Sequence, residues 1–586
     1  MDWALSKKLK DILAAEQGYY RFPAGTRTRV ALVYPNTYFV GMSNLGLHVV
    51  YELLNSRGDI ACERAFLPEK KDWIRYQNTR TPILTVENQS PLADFSMLAF
   101  VVSFEMDYFH ILSMLMTSHI EVHAAQRGER DPLIIAGGPC ATFNPEPLAP
   151  FIDAFVIGEG EAVLPRLMDT WQQARCEGRS RQEILERLSV LPGVYVPSCY
   201  TVSYHEDGRV AAITPKVNSR APESISRQWV QDLDAVPAHT VVVTDNTEFN
   251  FYLIETARGC GRHCRFCMAG YCFRRPRNRS LPVIKREVDA AKRFGKKIGL
   301  MGAAISDYPA VDALTAYIHE VGLPMSVASF RADSVTKPLV DSLAASGLRT
   351  LTLAPEAGSA RLRAVINKGI EEEDLFRAMH LGIEAGIRNF RLYLMVGLPF
   401  ETDEDIDAMV DLARRLKDEM EQRGAHGLLT LSVNPFIPKP FTPFQWLPMC
   451  DRKTVENRLK YLEKTLRRRR GIEVNIESPK EAYVQEVLSR GDRRVGEALY
   501  FACERGGSKA FKRALKMCEL DPAFFLYRKR GAEEVFPWEM LDMGVRKGYL
   551  YRELEKAAVG ETSRACFEGC LRCGVCTIED YAGCRP

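Results

Sequence analysis

The sequence of 586 residues contains no uninterrupted apolar run that is long enough to span a bilayer. Residues Met1 to Lys8 also lack the apolar core of a signal peptide. The formal net charge is only +3, so the overall charge identifies no class of partner. From these absences we expect a cytoplasmic protein that does not act at a membrane.

The composition indicates a folded chain of several domains. Hydrophobic residues make up 46% and charged residues 26%, as in ordinary globular proteins. A chain of this length exceeds one hydrophobic core. We predict an α/β fold in four parts: an α/β domain over residues 1–175, a β-rich connector over 176–243, a β/α barrel over 244–448, and a mainly helical region with a cysteine-rich tail over 449–586. Arginine-rich runs such as residues 467–470 fit either phosphate binding or a solvated helix face.

Cysteine is abundant, with sixteen residues, and in a reducing compartment cysteines bind metals more often than they form disulfides. Cys260, Cys264 and Cys267 have C-x3-C-x2-C spacing on one short loop. Three thiolates can hold three irons of a [4Fe–4S] cubane, which leaves the fourth iron open to a small molecule. An open position distinguishes a reactive metal site from a structural one. A zinc knuckle or three unrelated thiols are the alternatives, although only one C-x2-C pair is present.

A second group of cysteines lies at the C-terminus. It consists of Cys566, Cys570, Cys573, Cys576 and Cys584. The C-x2-C-x2-C core resembles the cluster-binding run of bacterial ferredoxins, with Cys566 or Cys584 as a fourth thiolate. Zinc is the competing occupant, because four-cysteine zinc sites are common structural elements. We favour a second iron–sulfur cluster that relays electrons, binds substrate or donates sulfur.

Apolar strands and helical stretches alternate in the N-terminal third, which predicts a parallel sheet of the flavodoxin or Rossmann type. The predicted strands are residues 29–35, 97–103, 133–139 and 154–161. Two of them end in turns with glycine, at Gly137-Gly138 and at Gly158-Glu159. Because glycine permits close approach of a ligand at the carboxyl edge of such a sheet, we expect these four residues to contact a cofactor.

The central part alternates in the same way and predicts a complete or partial TIM-type β/α barrel. Its predicted strands are residues 251–255, 297–301, 325–329, 350–353, 389–395 and 428–433. Active sites of such barrels lie at the carboxyl ends of the strands, and the cysteine loop follows the first strand. Helical patterns over 453–469, 479–488 and 494–517 fill the C-terminal region.

The cysteine loop and the turns after the later strands resemble those of the radical S-adenosylmethionine (SAM) enzymes. In that family the open iron chelates the amino and carboxylate groups of SAM, and the cluster donates the electron that cleaves it. By position, the resemblance implies SAM contacts at Phe266, Gly302, Ala303, Ala304, Ser329, Arg331, Glu356, Gly397, Leu398 and Pro399. Alanine replaces the usual acidic end of the turn at Gly302, with Asp307 nearby. Taken singly, Gly302 and Gly397 could be plain turns, and Glu356 could be an acidic residue at the surface. The order of these residues after successive strands favours the resemblance to the radical SAM family.

The N-terminal sheet resembles the cobalamin-binding domain that precedes many radical SAM domains. The matching elements are the strand end at Tyr34-Pro35-Asn36 and the two glycine turns. The D-x-H-x-x-G motif that supplies a histidine to cobalt in cobalamin mutases is absent, because Asp107 and His110 are one residue too far apart. Radical enzymes of this class often lack that histidine. The resemblance therefore implies cobalamin binding, and a sheet that only covers the active site is the alternative.

Residues 432–446, 489–494 and 536–542 extend the resemblance to nearly the whole chain. They resemble an uncharacterised family of radical SAM proteins with an N-terminal cobalamin-binding-type domain. The resemblance implies a transferase that generates a 5′-deoxyadenosyl radical and, with cobalamin, methylates an unactivated carbon. The first alternative is methylthiolation or other sulfur transfer on tRNA or a ribosomal component, without cobalamin. The second is a non-catalytic iron–sulfur sensor or an RNA-binding scaffold. We expect a flavodoxin or ferredoxin as the reducing partner and leave the substrate open, with RNA or a ribosomal component as candidates.

Overall fold

The computed structural model describes residues 2–23 and 25–577, and the chain divides into two compact units. The first unit comprises Met1–Phe251, Val487–Phe525 and Glu533–Met543, and the second comprises Tyr252–Glu486, Leu526–Ala532 and Gly544–Pro586. Both are mixed α/β structures with parallel strands. The C-terminal region contributes segments to each unit, and the boundaries of the four-part division stay a prediction. Within the described residues, no helix combines the length and the apolar character that crossing a bilayer requires.

A six-stranded sheet forms the centre of the first unit. Its strands are β1 Thr28–Tyr34, β2 Ile60–Phe66, β3 Met97–Val101, β4 Leu133–Gly137, β5 Ala154–Val156 and β6 Val194–Tyr195, in the order β2-β1-β3-β4-β5-β6. The first five strands are parallel, whereas β6 is antiparallel to β5. Consecutive residues of β1 and β2 are buried, as expected where both faces of a parallel sheet are covered. The winding reverses between β1 and β3, which is where ligands bind in doubly wound sheets.

The sequence analysis did not predict β2, and β6 joins this sheet although it was assigned to the connector. Strand β2 was missed because Glu63 and Arg64 interrupt its apolar pattern. Both side chains are buried, and Arg64 forms ion pairs with Glu16 at 2.6 Å and with Glu87 at 2.7 Å. A buried charge is tolerated only when it is paired and hydrogen-bonded in this way.

Helices and short strands complete the first 251 residues. They are α1 Trp3–Ala14, α2 Tyr38–Gly41, α3 Leu45–Asn55, α4 Lys70–Thr79, α5 Tyr108–Thr117, α6 Pro139–Phe143, α7 Gly160–Cys176 and α8 Arg181–Ser189, with β7 Tyr200–Tyr204, β8 Val210–Pro215 and β9 Ile225–Ser226. The Asn44 side chain accepts a hydrogen bond from the Leu47 N–H at 3.0 Å and so caps α3. Strands β7 and β8 pair as an antiparallel hairpin.

Two sheets form the centre of the second unit. The strands of this unit are β10 Phe251–Glu255, β11 Ala257–Arg258, β12 Arg277–Asn278, β13 Lys297–Met301, β14 Met325–Ser326, β15 Thr350–Glu356, β16 Asn389–Val396, β17 Leu429–Pro435 and β18 Ile472–Ile476. One sheet has the order β10-β13-β14, and the other has the order β15-β16-β17-β18 with all strands parallel. A parallel bridge between Phe330 and Leu353 connects the two sheets. Strand β14 ends at Ser326 rather than at Ser329, and β18 was not predicted.

The remaining helices are α9 Ala269–Cys272, α10 Leu281–Ala291, α11 Val311–Glu320, α12 Lys337–Ala345, α13 Ala360–Val365, α14 Glu372–Glu384, α15 Asp403–Gln422, α16 Arg452–Leu466, α17 Pro479–Arg490, α18 Val495–Glu504, α19 Phe511–Met517, α20 Pro522–Leu526 and α21 Lys547–Ala558. The last strand, β19 Leu541–Asp542, pairs with β9. The single helix predicted over 494–517 is instead two helices. Gly506 and Gly507 between them have φ angles of 113° and 73°, which glycine adopts without strain and which end α18.

Candidate active site

The cysteine loop follows β10 and the short strand β11, and it is closed at its base. Strands β11 and β12 pair with each other, so residues 259–276 between them form one loop. Gly259 has a φ of 83°, and a Cβ at this position would lie 2.1 Å from the Phe273 carbonyl oxygen. Only glycine fits there, so the backbone next to Cys260 is held in one conformation.

The three cysteines of the loop lie in one electrostatic neighbourhood. Burial raises the pKa of the Cys260 thiol, and burial together with Cys264 and Cys260 raises the pKa of Cys267 to about 12. Such thiols stay protonated until a metal binds and displaces the protons. Among the described residues, no three histidine, cysteine, aspartate or glutamate side chains surround one metal-ion position. A cubane binds its thiolates through different irons, so the donor type and the spacing of the trio fit a three-thiolate cluster.

Three of the predicted SAM contacts are gathered around Lys368. The Lys368 Nζ donates to Glu356 Oε1 at 3.0 Å and lies 5.7 Å from the centre of the Phe266 ring. Arg331 donates to the Lys368 carbonyl at 2.7 Å, and its Nη1 lies 3.8 Å from Cys264 Sγ. The predicted residues Phe266, Arg331 and Glu356 therefore come together beside one cysteine of the trio.

Lys368 was not singled out from the sequence, although it lies in the Asn-Lys-Gly segment that matched the family. It is buried, and burial alone would lower its pKa, but Glu356 and the Cys264 thiol outweigh burial and raise the pKa above its usual range. Lys368 is thus a fixed positive charge beside the loop. Glu356 itself has a φ of 67° and follows an irregularity in the register of β15. Backbone strain of this kind, of order 1–3 kcal/mol, is concentrated at functional sites.

The turn Gly302–Ala304 lies against Thr256 and Ala257, shortly before the cysteine loop. A Cβ on Gly302 would lie 3.0 Å from Ile305 Cδ1 and 3.1 Å from Thr256 Oγ1. Asp307 follows this turn and pairs with the loop residue Arg262 at 2.7 Å. Burial would raise the pKa of Asp307, but Arg262 outweighs it and holds the pKa below its ordinary value. Asp307 therefore anchors the loop.

The hydrogen bonds described for the other predicted SAM contacts, Ser329 and residues 397–399, are made elsewhere than to the cysteine loop. Ser329 lies three residues beyond the end of β14, next to Phe330, whose N–H donates to the Thr352 carbonyl at 3.0 Å. Gly397 has a φ of 87° and donates its N–H to Glu401 Oε2 at 2.7 Å, while Leu398 is buried beside it and Pro399 follows. Within the described part of the chain, no hydrogen bond joins Ser329 or residues 397–399 to the cysteine loop.

In the first unit, backbone fills the space next to the glycines that were predicted to contact a cofactor. A Cβ on Gly138 would lie 2.7 Å from the Val102 carbonyl oxygen, and one on Gly158 would lie 2.0 Å from that of Gln228. Glu159 is buried and accepts a hydrogen bond from the Val230 N–H at 2.9 Å. Gly137 ends β4, and its Cβ position is 3.5 Å from Val156. These contacts explain the glycines by chain packing, and cofactor contacts at the four residues stay a prediction.

The C-terminal cysteines lie against the cysteine loop, which the sequence analysis did not foresee. The Cys566 N–H donates to the Gly261 carbonyl at 2.7 Å, and Cys566 Sγ is 3.4 Å from His263 Nε2. The other ring nitrogen of His263 is 2.6 Å from the Tyr549 hydroxyl on α21. Burial, with the nearby arginines, lowers the pKa of His263 to about 2, so the ring is neutral. His263 therefore joins the loop to the tail and to α21.

Cys566 lies within electrostatic reach of the three other described cysteines of the tail. Burial raises the pKa of Cys566 to about 11, and Cys570, Cys573 and Cys576 contribute to the rise. Arg572 Nε donates to Cys570 Sγ at 3.2 Å and outweighs burial, so that the pKa of Cys570 is lowered. Cys584 lies outside the described residues.

Arg265, between Cys264 and Cys267, holds the loop to its surroundings. Its side chain is buried and pairs with Glu553 on α21 at 3.1 Å. The same guanidinium donates to the carbonyls of Val365 at 2.9 Å and of Glu561 at 2.6 Å. The loop is thus fixed by a buried charge pair and by backbone acceptors from two other parts of the unit.

Family profiles match both units of this chain. The profile for the N-terminal domain of radical SAM proteins matches residues 46–197, and the profile for the Radical SAM superfamily matches residues 254–413, which includes the cysteine loop. The chain belongs to the radical SAM superfamily. It is therefore an enzyme of that superfamily, and Cys260, Cys264 and Cys267 fall within the region that the second profile matches.

Individual relatives are similar over larger parts of the chain. An uncharacterized protein of Methanocaldococcus jannaschii is 29% identical over 81% of this chain and 91% of its own length. An uncharacterized methyltransferase of Pyrococcus horikoshii is 26% identical over 49% of this chain and 59% of its own. A tRNA-2-methylthio-N(6)-dimethylallyladenosine synthase of Carboxydothermus hydrogenoformans is 22% identical over 41% of this chain and 54% of its own.

Solved structures of radical SAM enzymes are also similar. The methyltransferase TsrM from Kitasatospora setae, with cobalamin and a [4Fe–4S] cluster bound, is 16% identical over 70% of this chain and 75% of its own, with a TM-score of 0.44. The cobalamin-dependent enzyme OxsB, with aqua-cobalamin bound, is 14% identical over 91% of this chain and 80% of its own, with a TM-score of 0.49.

Proposed function

We propose that this protein is a cobalamin-dependent radical SAM methyltransferase that methylates an unactivated carbon. The observation that carries the proposal is the grouping of Arg331, Glu356 and Lys368 beside Cys264 on the C-x3-C-x2-C loop. When bound, the cluster supplies the electron that cleaves SAM. The name of the Pyrococcus horikoshii relative supports methyl transfer as the reaction class.

The residues around Lys368 suit the zwitterionic methionine group of SAM. Arg331 and Lys368 place two cationic groups next to the loop, each beside an acidic partner, Asp333 at 3.1 Å and Glu356 at 3.0 Å, and either cation can also bind a carboxylate. The carboxylate of Glu356 lies within hydrogen-bond distance of Lys368 and is available to an amino or ribose group. The ring of Phe266 offers an apolar surface on the same side. We infer that these four side chains bind and orient SAM.

A fold type is proposed for each of the two units. We propose that the sheets of the second unit form a partial TIM-type barrel and that the first sheet is of the flavodoxin or Rossmann type, with a cobalamin at its carboxyl edge. The parallel bridge at Phe330 supports the barrel, and the strand order β2-β1-β3-β4-β5 supports the doubly wound sheet. Both ideas agree with the radical SAM profiles over the two regions.

We propose a second iron–sulfur cluster at the C-terminal cysteines, with zinc as the competing occupant. The C-x2-C-x2-C spacing, together with the influence of Cys570, Cys573 and Cys576 on the Cys566 thiol, supports a shared centre. Replacing Cys570, Cys573 and Cys576 with alanine should lower the iron content of anaerobically purified protein. Unchanged iron with lost zinc would assign zinc to the tail.

A second candidate function is methylthiolation or another sulfur transfer on tRNA or a ribosomal component. It is favoured by the methylthio synthase relatives and by the closeness of the tail cysteines to the cysteine loop. A non-catalytic iron–sulfur sensor or RNA-binding scaffold is the third candidate. For either reaction we propose a flavodoxin or ferredoxin as the electron donor.

One set of assays separates these functions. Anaerobic protein that is expressed with a cobalamin supply should show a corrinoid spectrum and should form 5′-deoxyadenosine when reductant and SAM are added. A protein with alanine at Cys260, Cys264 and Cys267 should form none. Activity without any corrinoid would favour sulfur transfer, and no 5′-deoxyadenosine from the unaltered protein would favour the scaffold. Mass spectrometry of RNA and protein from cells with and without the gene should then identify the modified molecule.

A further inference from the structure

A histidine–aspartate pair lies where the winding of the first sheet reverses. Asp107 ends the turn that follows β3, and His110 lies in the first turn of α5. His110 Nδ1 is 3.2 Å from Asp107 Oδ1 and 2.9 Å from the Pro35 carbonyl oxygen. Asn36, which like Pro35 follows β1, donates to the same Asp107 oxygen at 3.1 Å. The pair thus bridges the carboxyl ends of the two strands that flank the ligand-binding position of a doubly wound sheet.

The neighbours of Nδ1 decide which ring nitrogen is available. The Pro35 carbonyl and the Asp107 carboxylate both accept hydrogen bonds, so we assign the ring proton to Nδ1. Nε2 then keeps its lone pair. Among the described residues, Nε2 has no hydrogen-bond partner, and 38% of the His110 side chain is exposed whereas Asp107 is buried. A carboxylate that orients one nitrogen of a histidine while the other is open is the usual arrangement around metal-ligating histidines.

The spacing of Asp107 and His110 does not prevent the aspartate from orienting a metal-ligating histidine. Asp107 and His110 are one residue further apart than the aspartate and histidine of D-x-H-x-x-G. Asp107 and His110 are three residues apart at the start of a helix, and residues at that separation lie on the same helix face. The helical turn therefore brings together two side chains that an extended loop of the same spacing would separate.

Two exposed aromatic side chains lie in the segments that follow the same strands. Phe39 on α2 follows β1 and is 43% exposed, and Phe104 follows β3 and is 44% exposed. Large apolar side chains at the ligand edge of a sheet suit a flat ligand with an apolar rim, and the corrin macrocycle has that character. The polar pair and these rings together match the two parts of a corrinoid, the metal and its macrocycle.

We propose that His110 Nε2 is the lower axial ligand of the cobalt in a corrinoid and that Asp107 is its positioning residue. The inference rests on the proposed function, because it requires that the protein binds cobalamin. Coordination uses the Nε2 lone pair and displaces a water or the corrinoid's own base. No electron or proton is transferred in this step.

Isotopic labelling tests the ligand without any activity assay. Protein labelled uniformly with nitrogen-15 is loaded anaerobically with unlabelled cob(II)alamin, and its electron paramagnetic resonance spectrum is recorded. Each cobalt line should split into a doublet, because nitrogen-15 of His110 is the axial ligand. A triplet would show the cofactor's own base as the ligand, and no nitrogen splitting would show that neither binds. Either of these results would overturn the inference.

Variants assign the doublet to a residue. His110→Ala should abolish it, and Asp107→Asn should keep it while weakening corrinoid retention by about 10–100-fold, as for other partners of metal-bound histidines. His205→Ala is the matched control, since His205 is exposed in the same unit at the turn after β7, and this variant should keep the doublet. A doublet that persists in His110→Ala would also refute the inference. If His110→Ala fails to fold, the labelled unaltered protein still decides the question.

The outcomes separate this inference from the proposed function. The protein could bind cobalamin and form 5′-deoxyadenosine while its spectrum shows a triplet or no splitting. That result would refute the role of His110 and would leave the proposed methyltransferase function intact. Unaltered protein that binds no corrinoid under these conditions would refute both.

Discussion

Replacing Glu553 with glutamine should release the cysteine loop without touching any cysteine. The Arg265 guanidinium is fully buried and Glu553 is 4% exposed, and the Arg265 Nε and Nη2 groups both donate to the same Glu553 oxygen, at 3.2 and 3.1 Å. The amide of glutamine preserves the shape of the side chain but removes the charge. Arg265 would then be a buried cation without a counter-ion.

The loss of stability expected for Glu553→Gln follows from the measured effects of breaking buried ion pairs. Removing one partner of such a pair destabilises a protein by about 3–5 kcal/mol. The carbonyls of Val365 and Glu561 still accept from Arg265, so we expect the lower end of that range. About 3 kcal/mol corresponds to a roughly 100-fold lower ratio of ordered to disordered loop, since about 1.4 kcal/mol is a factor of ten. Because Arg265 lies between Cys264 and Cys267, this disorder acts directly on two of the three thiols.

The assay is the rate at which a chelator removes iron from anaerobically purified protein, measured together with thermal unfolding. Glu561→Gln is the matched control. The Glu561 carbonyl also holds Arg265, but its carboxylate is 58% exposed. Among the described residues it pairs with Lys556 alone, at 3.0 Å, and such an exposed pair is worth about 1 kcal/mol or less. Glu553→Gln should lose iron much faster than the control. Equal rates in the two variants would show that the charge pair does not hold the loop.

Other perturbations give separate expectations. Gly259→Ala should abolish iron incorporation, because its Cβ would overlap the Phe273 carbonyl at a φ of 83°, and iron retained at the normal level would contradict this. Tyr549→Phe leaves His263 Nδ1 without its hydroxyl partner and should cost about 1–3 kcal/mol in the free energy of unfolding. Hydrogen exchange should then rise in the cysteine loop and the tail together, and a rise confined to α21 would argue against their coupling. Burial raises the pKa of Glu401 to about 7, although Gly397 and Arg458 favour the charged form, so the carboxyl group ionises less readily in the folded than in the unfolded chain. The free energy of unfolding should therefore fall by roughly 3 kcal/mol as the pH rises from about 4.5 to 7. Glu401→Gln should remove this fall, and an unchanged pH profile in denaturant unfolding would refute the assignment.

Local patterns were sufficient to predict the cysteine loop and most of the strands. The loop residues are contiguous in the sequence. The preceding strand β10 has the predicted bounds, and it could be predicted because its apolar run is short and uninterrupted. Strand β2 could not be recognised in this way, since the pairing of Arg64 with Glu16 joins residues that are far apart in the sequence. Charged residues inside a strand suggest that the strand is exposed to solvent unless the residues that pair with them are known.

Non-local contacts explain the rest of what the sequence did not reveal. His263 and Cys566 are separated by 303 positions, and no periodicity or motif connects them. The glycine at position 158 also has a structural explanation that the sequence did not reveal, because the Gln228 backbone lies where a Cβ would be, while a cofactor contact at this turn stays a prediction. Asp107 and His110 failed a spacing rule that assumes a loop, whereas the structure places them on a helical turn.

We propose that Cys260, Cys264 and Cys267 hold a [4Fe–4S] cluster whose fourth iron binds SAM. The most direct measurement uses anaerobic protein with alanine at Cys570, Cys573 and Cys576, so that iron at the tail does not contribute to the spectrum. After reduction, its electron paramagnetic resonance spectrum should show one [4Fe–4S] signal that changes shape when SAM is added. A signal that is indifferent to SAM, or zinc in place of iron at the remaining cysteines, would contradict the account.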